Sequence, residues 1–213
     1  MDLTSQKLFA RLAPALVPDA RGWLASTLAD SALLVDARRL RVAFAQAARK
    51  LGPGAQAQAA EGELPVLDLA RASLLLAALE LLPASGHEPL VDTLYRTGEQ
   101  REQQSILRAL PLLPDAARFS AVAIHACRTN SVEVFRAVAT DNSYPGSHFP
   151  ELHFNQLVLK AIFLAVPVAR ILQLDERATP ELGRMLREYA SERRAAGRAI
   201  PTDVDYVIAL SER

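Results

Sequence analysis

The residues with the greatest capacity for chemistry lie between Asp141 and Phe163, in the segment DNSYPGSHFPELHFNQLVLKAIF. Here a chain dominated by Leu and Ala concentrates Asn, His, Tyr and Pro, and then places a lysine among apolar residues. Loops that gather polar side chains between helices more often carry sites than scaffolding. We therefore predict a ligand-binding site in this segment, with the candidate residues Asp141, Asn142, Tyr144, His148, His153, Asn155, Gln156 and Lys160.

Lys160 is the most informative of these candidates because apolar residues flank it on both sides, in the run LVLKAIF. Such a lysine extends its ammonium to solvent, pairs with a carboxylate or faces a cavity. A lysine buried without a partner loses solvation energy, and this is how a general-base or Schiff-base lysine arises. We expect the commoner outcome, extension to solvent or pairing with Asp141, Glu151 or Glu176.

The neighbouring amides and acids leave two interpretations open. Asn155 and Gln156 lie one turn before Lys160. We expect them to bond the preceding loop rather than to line a pocket, because that loop leaves backbone groups without regular partners. Asp141 and Asn142 either cap a helix that ends near Ala139 or supply polar groups to a cleft.

The histidines and the single cysteine do not form a recognisable catalytic or metal site. His148 and His153 are five residues apart, which is not the i, i+4 spacing of a helical zinc pair. His125 is predicted to lie in a helical core, and Cys127 to act as a small hydrophobic side chain. Motifs such as GxxxxGK[ST], GxSxG and HExxH are missing from the sequence. We predict no metal, no cofactor and no catalytic residue.

Composition predicts helices and excludes some partners. Half of the 213 residues are hydrophobic but only 6% are aromatic, which favours packed helices over sheets. Lys plus Arg equal Asp plus Glu, 24 each, so no global basic field attracts nucleic acid. The longest uncharged apolar runs are about half a membrane span. The first residues do not resemble a secretory signal, so we expect a cytoplasmic protein without a transmembrane segment.

Helix signals recur along the whole chain. Asp19 is a candidate N-cap, Ser31 opens a continuous predicted helix to Leu51, and Pro89 opens another. The sequence Thr179-Pro180-Glu181 is a strong helix start, with a hydroxyl cap, proline in the first position and an acid in the first turn. Residues 52–65, rich in Gly, Ala and Gln, are predicted to be a flexible linker.

A weak internal repeat suggests how these helices are arranged. Residues 72–83 and 103–114 share a pattern of Leu, Ile, Ala and a final Pro at an offset of 31. Helix pairs repeated at about this period are typical of stacked helical hairpins. We predict an all-α fold, an α-α superhelix or HEAT-like stack of antiparallel hairpins in a single domain over residues 1–213. An irregular helical bundle is the alternative.

The motif NSYPxxHFPExxFNQLVLKAIF, followed by LDERATPELxRMLxEYAxERRAAGR, resembles the EboA-domain family. The resemblance is densest over residues 141–201 and looser before them. It implies an all-helical protein without defined catalytic residues. It also implies a bacterial gene cluster with a UbiA-type membrane prenyltransferase, a TatD-type hydrolase, a sugar-isomerase-like protein and a dehydroquinate-synthase-like enzyme. The motif residues are Asn142, Tyr144, Pro145, His148, Phe149, Asn155, Gln156 and Lys160.

Together these observations predict a non-catalytic binding or adaptor protein in the traffic or maturation of secondary metabolites. Its partners would be a small apolar metabolite, prenylated or aromatic, or the other proteins of the cluster. One alternative is an enzyme that uses Lys160 as base or Schiff-base residue. Another is a scaffold that docks a partner enzyme or membrane protein. A cleft that contains Lys160 and two titratable neighbours would favour the enzyme; a Lys160 covered by carboxylate and phenylalanine side chains would favour the scaffold.

Overall fold

A computed structural model of the chain describes residues 3–58 and 64–213. Within these ranges the secondary structure consists of fourteen α-helices and five short 3₁₀ helices, without a strand. The α-helices are α1 Ser5–Leu12, α2 Pro18–Ala29, α3 Ser31–Leu34, α4 Ala37–Leu51, α5 Val66–Leu81, α6 Ala84–Thr97, α7 Gln100–Ala109, α8 Ser120–Cys127, α9 Val132–Ala139, α10 Tyr144–His148, α11 Glu151–Phe163, α12 Leu174–Arg177, α13 Pro180–Ala195 and α14 Thr202–Ser211. The predicted all-α class is confirmed.

The helices divide into two compact units, the first ending at Val122 and the second beginning at Ala123. The predicted superhelical stack and the single-domain boundary stay predictions. In the part of the chain that the structure describes, no helix combines the length and the apolar character needed to cross a bilayer.

The first unit is organised around α5. Every residue of this helix from Val66 to Leu79 is buried. Leu and Ala supply most of them, so the helix can pack on all sides. The neighbouring helices α1, α4 and α7 contact it. This burial brings an aspartate and an arginine into the core, where each requires partners.

A polar network satisfies these two buried side chains. Arg71, 3% exposed, donates from Nε to the carbonyl of Phe44 at 3.1 Å and from a terminal nitrogen to Ser105 Oγ at 2.9 Å. Asp68 accepts from Ser105 Oγ at 2.5 Å and from Arg108 at 2.8 Å. The network joins α5 to α4 and α7, and burial lowers the pKa of Arg71.

Three predicted helix boundaries are wrong. The helix α2 begins at Pro18, so Asp19 lies in its first turn instead of capping it. The side chain of Asp36 accepts from the amides of Arg38 and Arg39, at 2.9 and 3.1 Å, and so starts a new helix. The segment predicted as one helix from Ser31 is therefore split into α3 and α4. Pro89 lies inside α6 rather than at its start.

Other expectations have different outcomes. Thr179 caps α13 as predicted, since its hydroxyl accepts from the amide of Leu182 at 3.4 Å. In the segment predicted as a linker, residues 53–56 form a 3₁₀ helix and the Ala57 carbonyl accepts from the Val66 amide at 3.0 Å. Its flexibility stays a prediction, and residues 59–63 lie outside the described residues. The predicted polar loop after Asp141 contains the short helix α10.

The buried network makes Asp68 a residue whose loss is costly. Replacing Asp68 by Ala removes the carboxylate that accepts from Ser105 and Arg108 and that lies near the buried Arg71 guanidinium. We expect the free energy of unfolding to fall by about 1–3 kcal/mol, the cost of leaving buried polar groups without their partner. Urea unfolding followed by circular dichroism measures the change. Asp92→Ala is the matched control, because Asp92 forms an exposed i, i+4 pair with Arg96, and its loss should change stability by less than about 1 kcal/mol.

Candidate functional site

Asn142 is a helix cap in the second unit. Its side chain is buried, and Nδ2 donates to the carbonyl of Ala137 at 2.9 Å. The Oδ1 atom accepts from the Tyr144 amide at 3.0 Å. Asn142 therefore bonds a carbonyl of the last turn of α9 and the first amide of α10. Of the two roles that the sequence left open, these bonds correspond to capping.

Asp141 also has a structural role. Its backbone lies in the left-handed region, at φ 51°, which Asp tolerates better than most residues. Its amide donates to the carbonyl of Arg170 at 2.8 Å, and its exposed carboxylate pairs with the guanidinium of that arginine. These contacts fix the first residue of the motif on the 3₁₀ turn at 168–170.

Tyr144 is a core residue. It is 0% exposed. Its ring centroid lies 4.8 Å from that of His148 and 6.3 Å from that of Phe149, the latter in an edge-on arrangement. A side chain enclosed in this way packs α10 against the chain and presents no surface to a ligand.

Arg177 holds the same segment from the other side, and it was not among the predicted candidates. Its guanidinium donates to the carbonyls of Gly146 and Phe149, the second at 2.7 Å, and lies 4.8 Å from the ring centroid of Phe154. A Cβ atom at Gly146 would collide with the side chain of Gln173. Arg177 lies in the second quoted motif, LDERATPEL, and that motif was the available signal.

A cavity of about 250 Å³ lies beside α11. Three of the eight predicted candidates, His153, Gln156 and Lys160, line it on one face of that helix. The other lining residues were not predicted as site residues: Ile124, Cys127, Arg128 and Phe149. The cavity is thus formed by the end of α8, the residue after it, Phe149 at the end of α10, and one face of α11 from its first turn to its last.

The side chain of Lys160 extends from α11 along the cavity to the end of α8. Its Nζ atom donates to the carbonyls of Cys127 and Thr129, both at 2.6 Å, and lies 5.2 Å from the ring centroid of Phe135. The last carbonyls of a helix have no partner within the helix and carry the negative end of its dipole. The ammonium supplies a hydrogen-bond donor to these carbonyls and also a positive charge at the negative end of the helix dipole.

We expected Lys160 to extend to solvent or to pair with Asp141, Glu151 or Glu176, and its ammonium instead bonds these two backbone carbonyls. Asp141 pairs with Arg170, and Glu151 accepts from the Thr179 hydroxyl at 2.7 Å. Across residues 3–58 and 64–213, no carboxylate forms an ion pair with Lys160. Carbonyl groups compete successfully because they lie within reach of Nζ and cannot be satisfied by their own helix.

Cys127 lines the cavity, but its thiol has a low tendency to ionise. Burial raises the pKa of its thiol to about 12, and the charges of Lys160 and Arg128 oppose this only in part. The thiol is therefore mainly protonated at neutral pH, which lowers its reactivity as a nucleophile. This agrees with the expectation of a small hydrophobic side chain.

The amides of α11 do not bond the preceding loop, so that prediction is wrong. Asn155 is 0% exposed, and neither its Oδ1 nor its Nδ2 has a partner in the described structure. Gln156 is exposed and lines the cavity. The loop does not need these amides because Asn142 and Arg177 already bond its backbone. Asn155 lies about 130° around the helix from the cavity face.

The histidines separate in space. His125 is exposed rather than in the core, because it lies on the outer face of α8. His153 lines the cavity, and its Nδ1 atom is buried without a hydrogen-bond partner among the described residues. His148 packs on Tyr144. Among the described residues, no three His, Cys, Asp or Glu side chains are grouped closely enough to hold a metal ion.

The first unit has a cavity of its own, of about 270 Å³. It lies between α2, α3 and α4 and is lined by Trp23, Thr27, Leu33, Arg38, Arg39, Val42, Ala43 and Gln46. None of the predicted candidates contributes to it, and it provides a matched comparison for the cavity beside α11.

Comparison with known proteins gives one result. The family model described as metabolite traffic protein EboA matches residues 4–209. No curated protein and no solved structure matches the chain. The match includes every residue that lines the cavity beside α11.

The role of Lys160 predicts a stability effect. Lys160→Met keeps the apolar part of the side chain and removes both bonds, to the carbonyls of Cys127 and Thr129. We expect the free energy of unfolding to fall by about 1–3 kcal/mol, the cost of leaving buried polar groups without partners. Chemical denaturation measures this change. Arg128→Met is the control, because Arg128 lines the same cavity and its side chain has no hydrogen bond or ion pair within residues 3–58 and 64–213. An equal loss of stability in both variants would contradict a stabilising role of the Lys160 bonds.

The raised pKa of Cys127 predicts slow alkylation. A free thiol reacts with iodoacetamide increasingly from pH 7 to 9, because its thiolate fraction rises. We expect native Cys127 to react at least about tenfold more slowly over this range, and to become fully reactive in denaturant. Mass spectrometry of quenched samples measures the rate. A native rate equal to that of the denatured chain would show that the thiolate is accessible and formed.

Proposed function

This chain belongs to the EboA family of metabolite traffic proteins, and from that premise we propose that it binds a small apolar metabolite without transforming it. The binding site is the cavity lined by Ile124, Phe149, His153 and Lys160. The protein then acts as a carrier or adaptor for a secondary metabolite, prenylated or aromatic, during its traffic or maturation.

The size and lining of the cavity support this proposal. Its volume of about 250 Å³ lies just below the range of pockets that hold drug-sized ligands. Ile124, Cys127 and Phe149 supply apolar surface, and the remaining lining residues supply polar groups: Arg128, His153, Gln156 and Lys160. A few polar groups in an otherwise apolar cavity are typical of small-molecule sites, because they orient the ligand.

The observation that carries the proposal is the pair of bonds from Lys160 to the carbonyls of Cys127 and Thr129, both at 2.6 Å. A Schiff-base lysine must present its nitrogen to a carbonyl of the substrate. Here two of the three N–H groups point to the protein backbone. Cys127 offers no replacement nucleophile, because burial raises the pKa of its thiol to about 12. Binding is the function that these groups support best.

An enzyme is the second candidate, since the cavity does place Lys160 together with the titratable side chains of His153 and Cys127. This is the composition that we expected of an active site. The enzyme requires Lys160 to leave both carbonyls during the reaction. The two functions can be separated by incubating the purified protein with the small molecule that copurifies with it and analysing the mixture by mass spectrometry. A new product favours the enzyme, and an unchanged metabolite favours the carrier.

Filling the cavity tests the proposal. Ile124→Trp places an indole in the space where the ligand would lie. We expect a host that carries only this variant to lose the normal distribution of the pathway metabolite, as a deletion strain does. The measurement is untargeted mass spectrometry of cell fractions and of small molecules that copurify with the protein. Thermal stability of the purified variant must stay near that of the wild type.

Val42→Trp is the matched control, because Val42 lines the cavity of the first unit. It should leave the metabolite distribution unchanged. Normal distribution with Ile124→Trp would contradict a ligand in this cavity. The scaffold alternative has its own variant, Phe163→Ser, because Phe163 and Leu152 are exposed apolar residues on one face of α11. If Phe163→Ser disturbs the metabolite distribution while Ile124→Trp does not, the result would favour docking of a partner on this surface.

A further inference from the structure

We propose that the metabolite carries an acidic group, a carboxylate or a phosphate, joined to a small apolar body, and that Arg128 and Lys160 bind this group. The inference rests on the proposed function, since it names the class of ligand for the same cavity. The apolar body would lie against Ile124 and Phe149.

The charges around the cavity are all of one sign. Of the residues that line it, Arg128 and Lys160 are cationic, and none is aspartate or glutamate. Neither cation forms an ion pair with a carboxylate among the described residues. By contrast Arg136, on the next helix, pairs with Glu133 at 3.7 Å. The cavity therefore has two positive charges that its own protein leaves without a counterion.

The carbonyls bonded to Lys160 reduce this positive charge but do not cancel it. The end of a helix carries about half a negative charge, whereas the two side chains carry two full positive charges. An ammonium has three N–H donors, and two are directed to Cys127 and Thr129. One donor of Lys160 and the whole guanidinium of Arg128 remain for a ligand.

A neutral apolar ligand fits this cavity less well than an acid. Covering Arg128 and Lys160 with such a ligand removes water from two charges and gives nothing in return, which is unfavourable. A carboxylate or phosphate exchanges that water for charge-assisted bonds, and a guanidinium binds either group through two parallel N–H donors. Gln156 adds a neutral amide, with two further N–H donors, on the same side of the cavity.

Three naphthalene probes with the same apolar body test this inference. They are 2-naphthoate, 2-naphthyl phosphate and the neutral 2-naphthylmethanol, titrated into the full chain by calorimetry at low salt. We expect at least one of the two anions to bind about tenfold or more tightly than the neutral alcohol. The anion that binds more tightly identifies the acidic group as carboxylate or phosphate.

The variants locate the bound anion. Arg128→Gln should weaken the tighter anion at least about fivefold, the loss of a bond to a charged group, and leave the alcohol unchanged. Arg136→Gln, which removes a cation outside the cavity lining, should alter neither. Ile124→Trp should abolish binding of all three probes. Thermal unfolding of each variant confirms that the fold is retained.

Other results would overturn the inference in distinguishable ways. If the alcohol binds as tightly as both anions and Ile124→Trp abolishes its binding, the inference of an acidic group is wrong, while the proposal that this cavity binds the ligand is supported. If anion binding survives Ile124→Trp or is unaffected by Arg128→Gln, the anion lies elsewhere and the inference fails. If no probe binds the wild type at millimolar concentration, both the ligand class and the proposed function fail.

Discussion

The candidate site depends on one interaction, the bonding of the Lys160 ammonium to the carbonyls of Cys127 and Thr129. These bonds join the end of α8 and the residues after it to the last turn of α11, and the cavity lies along this junction. They also close the unsatisfied end of α8, whose carbonyls would otherwise require water. The same ammonium thus holds a wall of the cavity together and gives that wall its positive charge.

The polar motif around this junction is largely structural. Asn142 caps two helices, and Arg177 bonds the carbonyls of Gly146 and Phe149. Tyr144 is enclosed among aromatic rings. Short connections between closely packed helices leave many backbone groups to satisfy, and polar side chains are the means available. A cluster of Asn, Tyr and Asp in such a segment therefore reflects backbone requirements as much as chemistry.

Only a few polar groups beside the cavity are not used to satisfy the backbone, and these are the groups on which the proposed site depends. Within the part of the chain that the structure describes, the side chains of Arg128 and Gln156 face the cavity without a hydrogen bond, and His153 has a buried ring nitrogen without a partner. The chain belongs to the EboA family, whose description as metabolite traffic proteins suggests such a role. A carrier needs reversible contacts rather than a reactive side chain, and a protonated thiol beside a bonded ammonium supports that role.

The sequence by itself determined the all-α class, the cap at Thr179 and the family, because helical composition, cap residues and long motifs are local properties. It also identified Lys160 but not its partners. Those partners are backbone carbonyls 33 and 31 residues away. Every residue has a backbone carbonyl, so the pattern of side chains does not predict which carbonyls a lysine will contact. Only the packing of α8 against α11 decided that, and with it the position of Arg128 beside the cavity.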